Sequence, residues 1–394
     1  MRSFDKERPI LYLAPYERGG LETISELISE ANDFIYIISP LFCNEILADR
    51  LVKKKSVDSK IAVRLVTYPI EAYGKKLKDS AEKVRKSFCD AEIDVGEFRR
   101  NWGNPRLFSQ ASLGDLGTWW GLHGKLMVTD KAALFFSSLL RDPLDRRTDI
   151  YVIFKDDDHI DHYCKLFENM SEVCDRLREI SGDKKVVWDD EIDFSEQFHS
   201  KASNFDLYIT GFPWIDSGRE ILWKILSNSR SSIYGIHEII GDDSKRYNLV
   251  DLLIEQKKKG LDIQFIIAPF HTIQKANYKN SIRDMCGNGI LTYEHAVKKK
   301  FATVHSKVII VDDHTAVLSS FKLTGSGIDE GKGKSNNEIV EISNDEYLVT
   351  ELKRRFTFLR QHEGTTALNQ KLLNQFTKEL ANRPLWQRFV QTAS

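Results

Sequence analysis

The sequence carries the pattern His-x-Lys-x-x-x-x-Asp twice, as His123-Gly124-Lys125 running to Asp130 and as His305-Ser306-Lys307 running to Asp312. Residues two apart on an extended chain share a face, so each copy sets an imidazole beside an ammonium. That pairing suits phosphodiester cleavage, which needs a group to attack phosphorus, a group to protonate the departing oxygen, and positive charge around the non-bridging oxygens. One copy is a weak signal, because His and Lys meet at this spacing by chance. The second copy repeats the context as well. Each motif enters an apolar run (Leu126-Met127-Val128; Val308-Ile309-Ile310-Val311), a polar turn, a second apolar run (Ala132 to Phe136; Thr315 to Leu318) and a serine pair, Ser137-Ser138 or Ser319-Ser320.

On these two motifs the chain resembles the phospholipase D superfamily, over nearly its whole length. The resemblance implies an α/β fold of two pseudo-symmetric halves with the active site at their interface, and metal-independent covalent catalysis without a cofactor. In that family one imidazole attacks to give a phosphohistidine while the other serves first as acid, then as base toward water. By analogy His123 is the nucleophile and His305 the general acid, although two near-equivalent imidazoles give no reason in the residues themselves for that order. Lys125 and Lys307 would hold phosphate oxygens as point charges. A downstream carboxylate in the family orients the imidazole through its second nitrogen; Glu338 suits this in the second half, and Asp149 begins the corresponding strand in the first. Family members follow the motif with Gly-Ser-x-Asn, whereas this chain reads Ser137-Ser138-Leu139-Leu140 and Ser319-Ser320-Phe321-Lys322. Ser138 and Ser320 are therefore expected as supporting phosphate donors, the asparagine contacts are missing, and Lys322 adds a third cation. Asp130 and Asp312 are expected in structural roles where the strands turn.

Positioning these groups requires strands, and strand-like segments recur in the two halves. Pro9 to Ala14 is echoed by Phe205 to Thr210, Phe34 to Ile38 by Ser232 to Ile236, Lys60 to Val66 by Asp262 to Ile267, and Glu92 to Val95 by Ile290 to Tyr293. Helical patterns lie between them, as in Gly20 to Asn32 and Asn248 to Lys259. After each serine pair come a strand (Asp149 to Phe154; Glu338 to Ile342) and a helix (Asp158 to Ile180; Glu346 to Gln361). Strands alternating with helices imply that each half is a mixed, largely parallel sheet flanked by helices. The expected division is a first half over 1–180, a linker over 181–203, a second half over 204–362, and a helical tail over 363–394. The first half carries an insert at 98–121 holding Arg99, Arg100, Trp102, Arg106, Trp119 and Trp120. Arginines meet phosphates and indoles stack on bases, so the insert reads as a substrate-binding loop, or else as a loop anchored by its indoles.

The 394 residues suffice for two cores, and 41 % hydrophobic with 29 % charged residues is ordinary for a globular chain. A net charge of −1 confines any attraction to polyanions to local patches, such as Lys298-Lys299-Lys300 before the second motif. Lys53-Lys54-Lys55 and Lys257-Lys258-Lys259 read as solvated helix faces. With no apolar run of membrane-span length, no signal-peptide core, and five cysteines without metal-ligand spacing, the expectation is a cytoplasmic protein with reduced thiols and no membrane partner. Asp156 to His162 reads as a helix N-terminus ahead of a metal cluster. His237-Glu238 and His271 follow strands, where sites collect, while His199, His295, His314 and His362 look incidental. Nucleic acid is the expected substrate, a phospholipid the second, and a binding module with weakened catalysis the third. Some intracellular bacterial relatives act beside helicases or other ATPases in defence against foreign DNA. A partner of that kind is a further implication, since the chain has no ATPase motif of its own; monomer and homodimer both remain open.

Overall fold

The computed structural model describes residues 8–70, 73–98, 122–141, 144, 147–181, 197–211, 214, 218–241, 248–273, 276–296, 304–324 and 336–382. The insert residues Arg99, Arg100, Trp102, Arg106, Trp119 and Trp120, the triplet at 298–300 and most of the expected linker lie outside them. The first half runs β1 (Ile10–Ala14), α1 (Gly20–Glu30), β2 (Phe34–Ile38), α2 (Glu45–Val57), β3 (Ala62–Thr67), α3 (Lys75–Asp90), β4 (Asp94–Glu97), β5 (Leu126–Thr129), β6 (Ala133–Phe135), β7 (Asp149–Phe154) and α4 (Asp157–Ser181). The second runs β8 (His199–Lys201), β9 (Phe205–Thr210), α5 (Gly218–Ser227), β10 (Ser232–His237), α6 (Leu249–Lys258), β11 (Asp262–Ile267), α7 (Ala276–Gly287), β12 (Leu291–His295), β13 (Lys307–Val311), β14 (Thr315–Ser319), β15 (Glu338–Ser343), α8 (Glu346–Gln361), β16 (Thr365–Ala367) and α9 (Gln370–Asn382).

Among the described residues there are two mixed sheets, ordered β1-β7-β6-β5-β2-β3-β4 and β16-β12-β11-β10-β13-β14-β15-β9-β8. They are less parallel than expected. Parallel pairing is confined to β2-β3-β4 and β10-β11-β12, where helices supply the crossovers, and every other neighbour pair is antiparallel. The reason lies in chain length: the motif strand returns through a turn far too short for a crossover, from Thr129 to Ala133 and from Val311 to Thr315. Two further corrections concern the ends of the second sheet. His199 to Lys201, assigned to the linker, is edge strand β8, and Thr365 to Ala367, assigned to a helical tail, is edge strand β16 on β12.

Each sheet is covered on both faces, which is why its strands read as near-continuous apolar runs. Met127 faces the outer core under α1, α2 and α3, while Leu126 and Val128 face a central core. In β13, Ile309 and Val311 face the outer core under α5, α6, α7 and α9, and Val308 and Ile310 face the central one. That central core takes residues from both sheets, with α4 and α8 packed into it through Phe167, Met170, Leu352 and Phe356. Asp130 and Asp312 lie where the two motif strands turn. Asp130 accepts hydrogen bonds from the backbone N–H of Asn32 and Asp33, and Asp312 from those of Arg230, Ser231 and Ser232, so each aspartate ties the far end of its motif strand to the start of the neighbouring strand.

Polar contacts join the halves through the core. His159 on α4 is stacked between Phe154 and Phe205, with ring centroids 3.9 Å away on each side. Its Nδ1 lies 2.8 Å from Asp156, and its Nε2 makes a longer ionic contact of 3.6 Å with Glu341 of the second half, which also accepts from Tyr163 Oη at 2.6 Å. Burial works against the charged ring, but Asp156 and Glu341 outweigh it and raise the imidazole from 6.5 to about 9. A rise of that size corresponds to about 3 kcal/mol of stability, present in full below the unfolded value and lost as pH climbs through the folded one. In urea unfolding at pH 6, His159→Gln is expected to be less stable by about 2–3 kcal/mol, and the gap from wild type should close toward pH 9.5.

Candidate active site

Both motifs sit at the sheet ends that face each other. His123 and Lys125 lead into β5, and His305 leads into β13, whose first residue is Lys307. Each segment is held by the opposite half. The N–H groups of His123 and Gly124 donate to the carbonyl of Asn337 at 2.8 Å, and those of His305 and Ser306 donate to the carbonyl of Thr148 at 2.8 and 3.2 Å. Two parallel bridges, Leu122 with Asn337 and Thr148 with Val304, express the same pseudo-two-fold relation. Gly124 is required by this closeness, since a Cβ there would lie 2.8 Å from Cγ1 of Ile339.

Because the residue after each accepting carbonyl is acidic, the carboxylates cross over. Glu338 of the second half accepts from Nδ1 of His123 in the first, at 2.8 Å, and Asp149 of the first half stands 3.8 Å from Nδ1 of His305 in the second. Both acids were expected at the site; their assignment within their own halves is corrected. The serines are corrected too. Ser320 Oγ donates to Glu338 at 2.5 Å, and Ser138 Oγ to Asp149, so Ser138 and Ser320 hold carboxylates rather than standing free for a phosphate. Ser137 Oγ lies 2.7 Å from both Asp149 Oδ1 and the His305 carbonyl. Each lysine is pinned to the carbonyl of its own histidine, Lys125 to His123 and Lys307 to His305, the latter at 2.8 Å. Lys322 points its ammonium at Glu238 Oε2, 3.0 Å away, and that same oxygen is 3.8 Å from Nε2 of His305.

Burial governs the protonation states here. It pushes the His123 imidazole down to about 4, with Lys125 and Lys307 acting the same way and Glu338 pulling against them. His305 lies well below its ordinary value through burial and then Lys307, Arg147, Lys125 and Lys322. Burial and the neighbouring Lys307 hold Lys125 well below the usual ammonium range, and Lys307 is lowered to about 8, burial and Lys322 outweighing Glu238 and Asp149. Burial raises Asp149 despite Lys307 and the two serines. Glu338 is lowered: burial opposes ionisation, but His123 and Lys125 prevail. The outcome is a neutral imidazole, His123, with Nδ1–H directed onto a carboxylate and Nε2 left to act. Its side chain is 22 % exposed against 6 % for His305, which makes it the more reachable ring.

Several participants left little trace in the sequence. Arg147, close enough to depress His305, precedes β7 without any motif. His237, flagged only for following a strand, is fully buried opposite Lys307, and both its ring nitrogens lack a hydrogen-bond partner among the described residues. His271 is exposed. His295 is not incidental: it joins Tyr16 Oη at 2.7 Å and Thr365 at 2.7 Å, and the Tyr16 ring also meets His362. Trp214, following β9 as Tyr16 follows β1, stacks on Phe98 and donates to Asn169, so each half latches onto the other through one aromatic residue. Among the described residues, no group of three or more His, Cys, Asp or Glu could hold a metal ion, and His162 pairs with Ser200.

A family model described as the phospholipase D-like domain of cardiolipin synthase matches residues 222–360. A search of curated proteins finds no match. Among solved structures, a phosphatidylserine synthase from Haemophilus influenzae is similar over 98 % of this chain and 93 % of its own, at 13 % identity and a TM-score of 0.68. A polyphosphate kinase from Porphyromonas gingivalis is similar over 93 % of this chain and 49 % of its own, at 12 % identity and a TM-score of 0.53. Nuc of Salmonella typhimurium, a phospholipase D family member, is similar over 42 % of this chain and 99 % of its own, at 18 % identity and a TM-score of 0.35.

The closeness at Gly124 can be tested directly. Gly124→Ala is expected to cost about 1–3 kcal/mol of stability by overpacking, read in urea or thermal unfolding. Adding Ile339→Ala, which removes the atoms met by the new methyl group, should recover part of that loss beyond the sum of the two single effects.

Proposed function

We propose that the chain is a member of the phospholipase D superfamily, to which the family model over residues 222–360 and the similar fold of the phosphatidylserine synthase point, and that it is a phosphodiesterase working through a phosphohistidine, with nucleic acid as its substrate. The observation that carries the reading is the hydrogen bond from His123 Nδ1 to Glu338 across the halves, which fixes the tautomer whose Nε2 lone pair is free. That lone pair attacks phosphorus, the bond from phosphorus to the leaving oxygen breaks, and the leaving oxygen takes a proton from Nε2 of His305. A water oxygen then attacks phosphorus while passing its proton to His305, the N–P bond breaks, and His123 is regenerated. Lys125 and Lys307 neutralise the non-bridging oxygens, and arriving negative charge favours the protonated form of both.

Support for nucleic acid comes from the cations and indoles of the 98–121 insert, with Arg99, Arg100, Trp102, Trp119 and Trp120, and from the lysines at 298–300 in a chain of net charge −1. A second reading, phosphatidyl transfer, is favoured by the description of the matching family model and by the phosphatidylserine synthase with the similar fold. It needs the same chemistry with an alcohol in place of water. No helix among the described residues is long and apolar enough to cross a membrane.

Purified protein in EDTA, given labelled single- and double-stranded DNA and RNA beside phospholipid vesicles, is expected to cleave a nucleic acid. Lipid turnover with every nucleic acid intact would reverse the order of the two readings. On the substrate that is cleaved, His123→Ala should lose at least about a thousandfold in rate.

The pH profile of kcat/KM, which reports the free enzyme, should fall on the acid side as His123 is protonated near 4. On the basic side His305, Lys125 and Lys307, all held below their ordinary values, lose the protons the reaction needs, Lys307 near 8. Lys307→Arg, which stays charged, should remove the Lys307 step near 8 and leave the rest of the basic limb.

A further inference from the structure

The two histidines stand in unequal surroundings. His123 has one carboxylate, Glu338, on Nδ1, and among the described residues none lies within ion-pair distance of its Nε2. His305 has the Lys307 ammonium 3.3 Å from its Nδ1, with Asp149 beyond it on that side and Glu238 on the Nε2 side, each carboxylate 3.8 Å away. Glu238 is itself tied to Lys322. The register of β2 on β5 and of β10 on β13 puts Pro40 where the second half has Glu238, and the stretch Leu139-Leu140 corresponds to the region of Lys322. The carboxylate and its ammonium are thus a device of one half alone, whereas the motif histidines, the lysines, the serines and the crossed carboxylates come in pairs.

We propose that Glu238, held in place by Lys322, is the positioning residue that divides the work between the histidines: it keeps a proton on Nε2 of His305 and guards that nitrogen, so that His305 delivers the proton and His123 takes the phosphoryl group. This rests on the phosphodiesterase reading. The reasoning is electrostatic. An imidazole between two carboxylates gains on protonation, since both attract the imidazolium. Against this stand burial and the charges that face the ring from the surrounding elements: Lys307 on β13, Lys125 before β5, Lys322 after β14 and Arg147 before β7. A bound phosphodiester supplies negative charge for those cations, while Asp149 and Glu238 stay with His305. The balance at that ring then moves toward the imidazolium, as an acid requires. For attack, the same geometry is unfavourable. A phosphate oxygen approaching Nε2 of His305 meets the Glu238 carboxylate, whose partner Lys322 is already engaged, and among the described residues no such barrier stands at Nε2 of His123.

The division of roles is open to a test that does not depend on turnover. Full-length protein with 15N-labelled histidine rings is titrated with inorganic phosphate present, for wild type and the near-isosteric Glu238→Gln, the His305 signals being assigned with His305→Gln. The His305 midpoint is expected to fall by about one pH unit or more in Glu238→Gln, to return in part in Glu238→Asp, and to leave the His123 signals in place. An unchanged His305 midpoint overturns the proposal. Acid-quenched reactions with bis(p-nitrophenyl) phosphate then map the phosphohistidine by mass spectrometry. An adduct on His123 alone in wild type, with a second on His305 in Glu238→Gln, supports the assignment, and an adduct on His305 in wild type overturns it. Should wild type turn over neither this diester nor any natural one, the phosphodiesterase reading fails, and the ring titration by itself decides whether Glu238 controls His305.

Discussion

Four backbone N–H groups donating to two carbonyls hold the site together. His123 and Gly124 share the Asn337 carbonyl, and His305 and Ser306 share that of Thr148. Buried backbone groups must be paired, so this exchange gives the edge of each half a partner that only the other half supplies. It has a chemical consequence, because the residue following each carbonyl is an acid. The peptide that pairs with the His123 segment also delivers Glu338 to the His123 ring, and the one that pairs with the His305 segment brings Asp149 near His305. Assembly of the halves and orientation of the imidazoles are therefore one structural event, and neither half alone contains a motif histidine with the carboxylate on its Nδ1 side.

This arrangement accounts for what the sequence reveals and what it conceals. The histidines and lysines are legible because strand geometry converts a spacing of two into a shared face, and because the pattern recurs. Helix α8 has the bounds its pattern implies, Glu346 to Gln361, and in the structure the Asp345 side chain caps its start by accepting from the N–H of Leu348. Strand direction was not legible. A run such as Leu126 to Thr129 is buried on both faces whether its neighbour runs with it or against it, and the short returns at Asp130 and Asp312 carried the information instead. Likewise, β8 and β16 have too few residues and too little apolar character to stand out, since they are edge strands of three residues each.

Within the site, what escaped notice depends on relations between halves. Ser138 and Ser320 look like phosphate donors when counted from the motif; only their closeness to Asp149 and Glu338 shows that their hydroxyls are taken. A carbonyl acceptor such as that of Thr148 leaves no mark at all, every residue having one. The crossing of the carboxylates follows from the same cause, for two acids at equivalent positions in a repeat carry no label saying which ring each will serve. Tyr16 and Trp214 were legible in principle, since each follows the first repeated strand of its half, yet their partners His295 and Phe98 belong to the other half.

The buried charges at the site explain why it needs so rigid a frame. Lys125 and Lys307 are buried, and an ammonium removed from water is costly unless it is compensated. Here the compensation is partial: the lysines keep one carbonyl each and share Glu338, Asp149 and Glu238, and both remain below the ordinary ammonium range. A cluster in that state has an unmet demand for negative charge at one place. A phosphodiester, the proposed substrate, would meet it, whereas a neutral ligand of the same shape would leave the lysines as they were. On that proposal, selectivity for an anion arises from incomplete compensation, and it lasts only while nothing relaxes to complete it. The strands that carry the lysines are held against relaxation at both ends, by the cross-half carbonyls on one side and by Asp130 and Asp312 on the other.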